Sequence, residues 1–328
     1  MERGSVRDFP YDNYPRGWYR VAWSFELTKT VQAINYFEHD FVAYRTSDGV
    51  AHVMDAFCPH LGAHLGYGGR LEDDQVVCPF HGWTWDSSGR NTSIPYEHPD
   101  VRKKTIRTWP VRELGGAVLI WWSDSPDDAR WEPEPIAEES DDGFHAVGPQ
   151  TCLLWERKHL IPQALTENIA DPAHLKYIHL AKSVPSIETK QTASTFVSSL
   201  DYLFGEERTS TWLTPEGPRA VHLVAEAHGL GYTISRYGGL HGAVHLLGAT
   251  PTDRHHADVW ASAVVPRSSD DAGDTLGAWG TRLVKEMFKS HEQDFPVWEH
   301  MTYISHPPYA RMEGCHKRLR RWAETFYV

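Results

Sequence analysis

Short runs of β-branched and aromatic residues, separated by turn-forming residues, dominate the first third of the chain. Five such runs are residues 41–45, 50–54, 75–78, 83–85 and 117–122. The first two flank Gly49, whose freedom to adopt a positive φ suits a hairpin turn. The others are bounded by Gly, Asp or Ser, which are typical of turns. The pattern predicts a small antiparallel sandwich or barrel.

The rest of the chain combines two helical patterns with a series of strand-like runs. Helices are predicted at residues 161–180 and 275–300, and Pro296 should interrupt the second one. Six strand-like runs lie between them: 195–203, 208–213, 221–227, 232–237, 243–247 and 259–265. Many strands with few helices predict one curved antiparallel sheet. We therefore expect an α+β fold that is mostly β.

The chain length and one acidic segment predict two domains. The 328 residues exceed the usual domain size of about 100–200 residues. From Asp124 to Asp142, nine acidic residues and three prolines accompany a single arginine, which is typical of a solvated connector. An acidic surface loop within one domain is the alternative. We predict domains at residues 1–123 and 144–328, joined by a connector at residues 124–143.

Composition narrows the classes of function. Acidic residues outnumber basic ones by 44 − 32 = 12, which argues against nucleic acid as a partner. No apolar run approaches the about 20 residues of a membrane span, and the first 15 residues contain no apolar leader segment. We therefore expect a soluble, cytoplasmic protein. Four cysteines do not make a disulfide framework, so the twenty histidines direct attention to metal sites.

Two cysteine–histidine pairs form the first candidate metal site. Seventeen residues separate the pair Cys58 and His60 from the pair Cys78 and His81. A single tetrahedral zinc is one interpretation. The other is a two-iron, two-sulfide cluster with both cysteines on one iron and both histidines on the other. The cysteine-before-histidine order within each pair, and the glycines that follow, favour the cluster.

A second candidate site lies in the first predicted helix. His174 and His179 supply two nitrogens, and non-haem iron sites that activate O₂ combine two histidines with one carboxylate. Five residues of an ideal helix rotate by about 140°, so the two rings share one face only if the turn widens or the helix breaks. Pro172 suits the first turn of a helix and would place Asp171 at the N-cap.

The carboxylate must come from another part of the chain. Acidic residues of the second predicted helix are candidates, and spacing does not choose among Glu286, Glu292, Asp294 and Glu299. Further histidines lack any metal-ligand spacing and are interpreted as structural or surface residues: His241, His245, His255 and His256.

The two cysteine–histidine segments resemble the cluster loops of Rieske proteins. The matching stretches are Cys58-Pro-His-Leu-Gly-Ala-His and Cys78-Pro-Phe-His-Gly-Trp. The resemblance implies a [2Fe-2S] Rieske cluster held by Cys58, His60, Cys78 and His81. Histidine ligands raise the reduction potential of such a cluster to about −150 to +300 mV. It therefore accepts electrons readily and passes them to a stronger oxidant.

The segment from Asp171 to His179 resembles the mononuclear iron motif of Rieske non-haem iron oxygenases. This resemblance implies that His174 and His179 hold a non-haem Fe(II). Asp171 then matches the aspartate that links an iron ligand to the partner subunit's His81. Asn168 would lie near the iron.

The carboxy-terminal part resembles one subgroup, the oxygenase component of 3-ketosteroid 9α-hydroxylase. Residues 292–298 look like its last iron-ligand segment, which implies Asp294 as the third ligand. Residues 319–327 and 14–18 resemble the same subgroup, so the resemblance covers nearly the whole chain. The chain departs from the subgroup at residues 181–184, which replace an aromatic-rich stretch.

The resemblance implies a fold, an activity and partners. The fold is a Rieske-type antiparallel β domain followed by a catalytic domain with a curved sheet around long helices, similar to a helix grip. The implied activity is that of a terminal oxygenase that activates O₂ and hydroxylates a small hydrophobic substrate, either steroid-like or aromatic. Electrons would come from NAD(P)H through a flavin or iron–sulfur reductase, with or without a ferredoxin, and the assembly would be a homotrimer. Alternatives are a sterol desaturase, a demethylase, an N-oxygenase, a Rieske electron carrier without catalysis, or a zinc-stabilised binding module.

Overall fold

The computed structural model describes residues 9–97, 103–123, 129–179, 181–204, 214 and 217–327. Short strands form three antiparallel sheets in the amino-terminal part. These strands are β1 (Gly17–Trp23), β2 (Gln32–Tyr36), β3 (His39–Arg45), β4 (Ala51–Asp55), β5 (Arg70–Glu72), β6 (Gln75–Val77), β7 (Thr84–Trp85), β8 (Asn91–Ser93), β9 (Thr108–Trp109), β10 (Val111–Leu114) and β11 (Ala117–Trp122). Their orders are β1-β11-β10, β2-β3-β4-β9 and β5-β6-β7-β8.

The hairpin predicted around Gly49 is present between β3 and β4. Tyr44 pairs with His52, and Gly49 has a φ of 88°, a conformation that residues with a Cβ rarely adopt. Strand β1 was not predicted from the sequence. It pairs with β11, whose opposing positions include Trp18 with Trp121, and the burial of both indole rings explains its aromatic composition.

The carboxy-terminal part contains one antiparallel sheet, as predicted, with seven strands among the described residues. Its strands are β12 (Cys152–Lys158), β13 (Ile187–Gln191), β14 (Thr195–Phe204), β15 (Arg219–His228), β16 (Tyr232–Gly238), β17 (Val244–Pro251) and β18 (Ala257–Val264). Their order is β12-β18-β17-β16-β15-β14-β13. Strands β12 and β13 were not predicted. The strand predicted at residues 208–213 lies outside the described residues.

Strands β17 and β18 are buried along their whole lengths because both faces of the sheet are covered there. On one face, Leu246 and Val264 pack with Trp18 of the amino-terminal part. On the other face, Leu247 packs with Leu283 and other residues of the carboxy-terminal helices. Two-sided burial explains why these strands have no polar alternation.

The helices are α1 (Pro162–Glu167), α2 (Pro172–Tyr177), α3 (Ala278–Glu292), α4 (Phe295–Trp298) and α5 (Gly314–Ala323). The two long helices predicted from the sequence are therefore each split in two. The first break is at Asp171, which precedes Pro172, and the second is at Gln293 and Asp294, just before Pro296. Proline disfavours helical conformation in the residue before it and clashes with the preceding turn. In the described part of the chain, no helix has the length and apolar character needed to cross a membrane.

The described part of the acidic segment is held against the protein. Trp131 packs edge-to-face against Trp121, and Ile136 is 3% exposed. Glu138 forms an ion pair with Arg236 of β16 at 2.9 Å. This segment is therefore more closely packed than a solvated connector. The domain limits at residues 123 and 144 stay predictions.

Candidate metal centres

The cysteine–histidine pairs lie in two loops with the same backbone turn, residues 58–62 and 78–82, which we call the cluster loops. The Gly62 amide donates to the Cys58 carbonyl at 2.9 Å, and the Gly82 amide donates to the Cys78 carbonyl at 3.0 Å. The two glycines have φ values of 77° and 74°. Each loop therefore reverses at a glycine and presents its cysteine and histidine in the same way.

The cluster-loop side chains separate into a buried pair and a pair nearer the surface. Cys58 and Cys78 are 1% and 2% exposed. Burial raises the pKa of the Cys58 thiol to about 11, and the neighbouring Cys78 adds to the rise. His60 and His81 are partly exposed, with ring centroids 4.7 Å apart. Trp83 stacks on His60 with ring centroids 4.3 Å apart and therefore covers one side of the pair.

These four side chains fit a two-iron cluster better than a single ion. His81 Nδ1 is buried without a hydrogen-bond partner in the described structure, as expected of an atom that faces a bound group. Four ligands of one tetrahedral zinc converge on one point. In the described ranges, the only group of three or more potential ligands with all ligand atoms within 4.8 Å of one another contains none of these four residues. Two irons bridged by sulfides account for this wider spacing.

That compact group consists of His174, His179 and Asp294, which we call the triad. The amides of Ile178 and His179 both point to the His174 carbonyl, at 2.8 Å and 3.4 Å. The second contact spans five residues, so the last turn of α2 is widened as the sequence analysis required. The two imidazole rings consequently lie 5.2 Å apart between centroids.

Each triad histidine has its Nδ1 atom occupied by an acceptor. His174 Nδ1 contacts the main-chain oxygen of Asp171, and His179 Nδ1 lies 3.0 Å from Gln293 Oε1. Carbonyl oxygens only accept, so each ring donates through Nδ1 and leaves the lone pair of Nε2 for a metal. The Asp171 carboxylate caps α2 through Oδ1, which accepts from the Ala173 amide at 2.9 Å. Capping therefore uses one carboxylate oxygen.

Asp294 has the surroundings expected of a cation ligand. Its side chain is 1% exposed, and neither oxygen has a hydrogen-bond partner within the described chain. Its nearest charge-bearing neighbour is His179 Nε2, at 3.5 Å. Burial opposes protonation of His179, but the nearby negative charge of Asp294 outweighs it and raises the pKa of His179. Burial and the neighbouring His179 lower the pKa of His174. An unpaired buried carboxylate is costly unless a bound cation compensates it.

The other acidic candidates lie elsewhere. Glu292 accepts from Trp155 Nε1 at 3.3 Å, and Glu299 forms an ion pair with Lys158 at 3.6 Å. Glu286 lines the cavity described next but is not part of the triad.

A cavity of about 320 Å³ adjoins the triad. Its walls are mostly apolar, formed by Leu165, Ile169, Leu175, Leu200, Leu223, Leu247, Leu283 and Met287 among others. Asn168 and Asp171 also line it. A volume of this size is at the lower end of the about 300–1,000 Å³ that small-molecule sites occupy.

The sequence analysis missed several polar residues of this cavity. His241 and His245, which were interpreted as structural or surface residues, both line it. His291 and Gln293 also line it and were not identified at all. The sequence signal for His291 and Gln293 is their proximity to Asp294. The signal for His245 is its place in an apolar strand-like run.

Comparisons with known proteins agree with this architecture. Residues 17–110 match the family described as Rieske [2Fe-2S] domain, and residues 120–327 match the family described as 3-Ketosteroid 9alpha-hydroxylase C-terminal domain. The cholesterol 7-desaturase of Bombyx mori is 27% identical, covering 96% of this chain and 70% of its own length. The oxygenase component of 3-ketosteroid-9-alpha-monooxygenase from Rhodococcus rhodochrous is 25% identical, with coverages of 100% and 89%.

Solved structures of Rieske oxygenases share the fold. Dicamba monooxygenase bound to dicamba has a TM-score of 0.67 and 18% identity, covering 99% of this chain and 98% of that chain. NdmB of Pseudomonas putida CBB5 has a TM-score of 0.70 and 14% identity, with coverages of 94% and 93%.

The two domain matches define a Rieske-type oxygenase. The chain belongs to the Rieske non-haem iron oxygenase family, with the C-terminal domain described for 3-ketosteroid 9α-hydroxylase. It is an oxidoreductase, the terminal oxygenase component of a system in which a separate reductase supplies electrons. Its cofactors are a [2Fe-2S] Rieske cluster and a mononuclear non-haem iron.

Proposed function

We propose that this oxygenase hydroxylates a neutral, steroid-like substrate in the cavity beside the triad. In this proposal, Cys58, His60, Cys78 and His81 hold the cluster, and the triad holds the mononuclear iron. The observation that carries the assignment is the buried Asp294 carboxylate, which makes no hydrogen bond within the described residues and lies beside two histidines that donate through Nδ1. An iron in this position supplies reductive activation of O₂.

The protein's own residues prepare that chemistry. The widened end of α2 and the break before α4 bring the triad together from distant parts of the chain. Asp171 and Gln293 fix the orientation and tautomer of the two histidines. The apolar walls exclude water, which favours reaction of the substrate over side reactions with solvent. Asn168, which lines the same cavity, is proposed to contact the reacting region.

A homotrimer is part of the proposal, because Asp171 needs a second subunit to reach a cluster histidine. Its Oδ1 atom caps α2, and its second oxygen would accept a hydrogen bond from the partner subunit's His81. Two apolar side chains of the cluster loops, Leu61 and Phe80, are 65% and 61% exposed and suit burial between subunits. Sedimentation of the holoprotein should give three times the chain mass, and a monomer at micromolar concentration would contradict this part. We place the complex in the cytoplasm.

The substrate class rests on the apolar cavity and on what the relatives are named for. The Rhodococcus rhodochrous relative is named for a 3-ketosteroid and the Bombyx mori relative for cholesterol. A largely apolar cavity with a few polar groups suits a fused-ring substrate with few oxygen atoms. Because the Bombyx mori relative is named a desaturase, desaturation is the second candidate reaction.

Product analysis tests the proposed reaction. The holoenzyme is incubated with a surrogate reductase, NADH, ¹⁸O₂ and a panel of steroids and aromatic compounds. Hydroxylation adds one ¹⁸O atom to the product, whereas desaturation removes two hydrogens and adds no oxygen. We expect an ¹⁸O-labelled steroid with the native chain and none with His174→Ala. Labelled product from His174→Ala at the native rate would contradict the assignment of the triad.

A further inference from the structure

A second polar cluster lies in the same cavity, outside the triad. His245 of β17 and His291 of α3 form a direct hydrogen bond, with His291 Nε2 and His245 Nδ1 3.0 Å apart. Their rings stack with centroids 4.5 Å apart. Both residues line the cavity. This His245–His291 pair connects the sheet to the helix that leads into Asp294.

The register of the sheet shows that His245 faces the cavity. Its cross-strand partner on β16 is Ser235, which lines the same cavity. Neighbouring Val244 and Leu246 pack on the opposite face, against the amino-terminal part. Alternate side chains of a strand point to opposite faces, so the imidazole is directed towards the substrate space.

The outer nitrogens of the pair have no protein partner. His245 Nε2 and His291 Nδ1 are both buried and accept or donate no hydrogen bond among the residues that the structure describes. His245 is only 2% exposed, so bulk water does not replace the missing partner. Buried polar atoms are nearly always satisfied in native proteins, and such an exception in a substrate cavity indicates a group that binds there.

The shared proton determines what the pair can bind. A charged imidazolium is costly where water is excluded, so the buried position of the pair favours its uncharged form. A neutral pair with one internal hydrogen bond always leaves one outer N–H donor and one outer lone pair. The two roles exchange when the internal proton shifts and the outer proton passes from one ring to the other. The pair therefore serves a ketone oxygen, which needs a donor, or a hydroxyl, which can use either.

We propose that the His245–His291 pair recognises an uncharged oxygen substituent, a ketone or an alcohol, on the substrate. Anchoring that oxygen fixes which carbon of an otherwise apolar molecule faces the triad. A carboxylate is disfavoured because the outer lone pair and the buried Asp294 would both repel it. This inference deepens the proposed function, on which it rests, by naming the chemical class of the substrate's recognised group.

Binding without turnover tests the pair. The probes are androst-4-ene-3,17-dione and two analogues that each lack one ketone, androst-4-en-3-one and androst-4-en-17-one. Calorimetric titration of the anaerobic holoenzyme, with no reductase present, gives their affinities. Removing the recognised ketone should weaken binding roughly 10- to 100-fold, since an unpaired buried group loses its partner, whereas removing the other ketone should cost less.

Variants connect the preference to the pair. His245→Leu should bind the dione and the weaker analogue with similar affinity, and His245→Gln, which keeps a donor and an acceptor, should restore part of the preference. His222→Leu is the matched control, because His222 lies on β15 of the same sheet with its side chain more than half exposed. It should retain the native preference. His291→Leu provides a second test if His245→Leu does not fold.

The outcomes separate this inference from the proposed reaction. Equal affinities for the three probes, or no binding of the dione to the native holoenzyme, would overturn the assignment of the pair. A preference that survives both His245→Leu and His291→Leu would overturn it as well. If the ketone preference depends on the pair but ¹⁸O₂ yields no labelled product, the proposed reaction fails and the recognition site stands. If ¹⁸O-labelled product forms but the ketone preference does not depend on the pair, the proposed reaction stands and the recognition site fails.

Discussion

The two metal centres are built by different means. Each cluster loop is a local turn that carries a cysteine and a histidine within four residues, and the same turn occurs twice. The triad instead joins the end of α2 to the break between α3 and α4, far apart in the sequence. A site made of local turns can be predicted from the sequence. A site made by tertiary packing can be predicted only when the arrangement of the elements that carry it is known.

The two centres also differ in how their surroundings hold them. The cluster loops depend on backbone hydrogen bonds and two glycines. The segment before the triad depends on a buried carboxylate, Glu167, which accepts from His316 at 2.9 Å and from Arg320 at 2.8 Å. Both partners belong to α5, so the carboxy-terminal helix anchors the iron-binding segment. A substitution at one centre should therefore leave the metal content of the other centre unchanged.

Removing one ligand from each centre should give the largest effects. Asp294→Asn should lower iron from about three to about two per chain, keep two labile sulfides, and reduce turnover by at least about 100-fold, since even outer-shell changes cost about 10–100-fold. Cys78→Ser should do the reverse, losing the cluster and its colour while the lone iron remains. Iron and sulfide analysis with visible absorption checks both. Loss of both centres in either variant would show that they are not independently built.

Replacing Glu167 should destabilise the catalytic part without touching a ligand. Glu167→Gln leaves Arg320 buried without its anion, which should lower the free energy of unfolding by about 3–5 kcal/mol. Urea unfolding followed by far-ultraviolet circular dichroism measures this. Glu292→Gln is the control: Glu292 is exposed, and its loss should change stability by less than about 0.5 kcal/mol.

The same carboxylate predicts a pH dependence. Burial alone would raise the pKa of Glu167, but the hydrogen bonds from His316 and Arg320 outweigh it and hold the pKa below the ordinary 4.5. Because the folded-state pKa is the lower one, the ionised group stabilises the fold fully above pH 4.5. That contribution is lost as the pH falls further, through the folded-state pKa. The difference in stability between the native chain and Glu167→Gln should therefore shrink below pH 4.5. A difference that grows on acidification would contradict the network.

The sequence predicted much of the fold. It predicted the cluster loops more completely than the triad. Its strand-like runs identified most strands of the seven-stranded sheet, and the paired loops identified the cluster motif. The spacing of His174 and His179 correctly required a distorted turn. Spacing did not choose Asp294 over its acidic neighbours, because only tertiary packing buries that residue and leaves its carboxylate without a hydrogen bond among the described residues. The resemblance alone implied Asp294. The place of His245 in the cavity was not predicted for the same reason, since the packing on both sides of the sheet decides which face of β17 carries it.

Gln293 should tune metal affinity at the triad alone. Gln293→Leu removes the acceptor that orients His179, so iron affinity should fall by about 10- to 100-fold. Competition with an iron chelator measures the change, and the visible spectrum of the cluster should be unaltered. Gln293→Glu keeps an acceptor oxygen and should retain most of the affinity. Unchanged affinity in Gln293→Leu would mean that the histidine is oriented by packing alone.

The smallest expected effects distinguish the two cluster loops from each other. Gly62 and Gly82 both adopt positive φ, where a residue with a Cβ costs about 1–2 kcal/mol. An added Cβ meets no atom within 4 Å at Gly62 but lies 3.1 Å from Pro95 at Gly82. Gly62→Ala should therefore lower the stability of the cluster domain by about 1 kcal/mol and Gly82→Ala by more, measured as the urea midpoint for loss of cluster absorption. Iron at the triad should be unaffected in both variants. Equal midpoints for the two variants would mean that backbone conformation alone sets the cost; a lower midpoint for Gly62→Ala would show that the loops differ in some way other than the contact with Pro95.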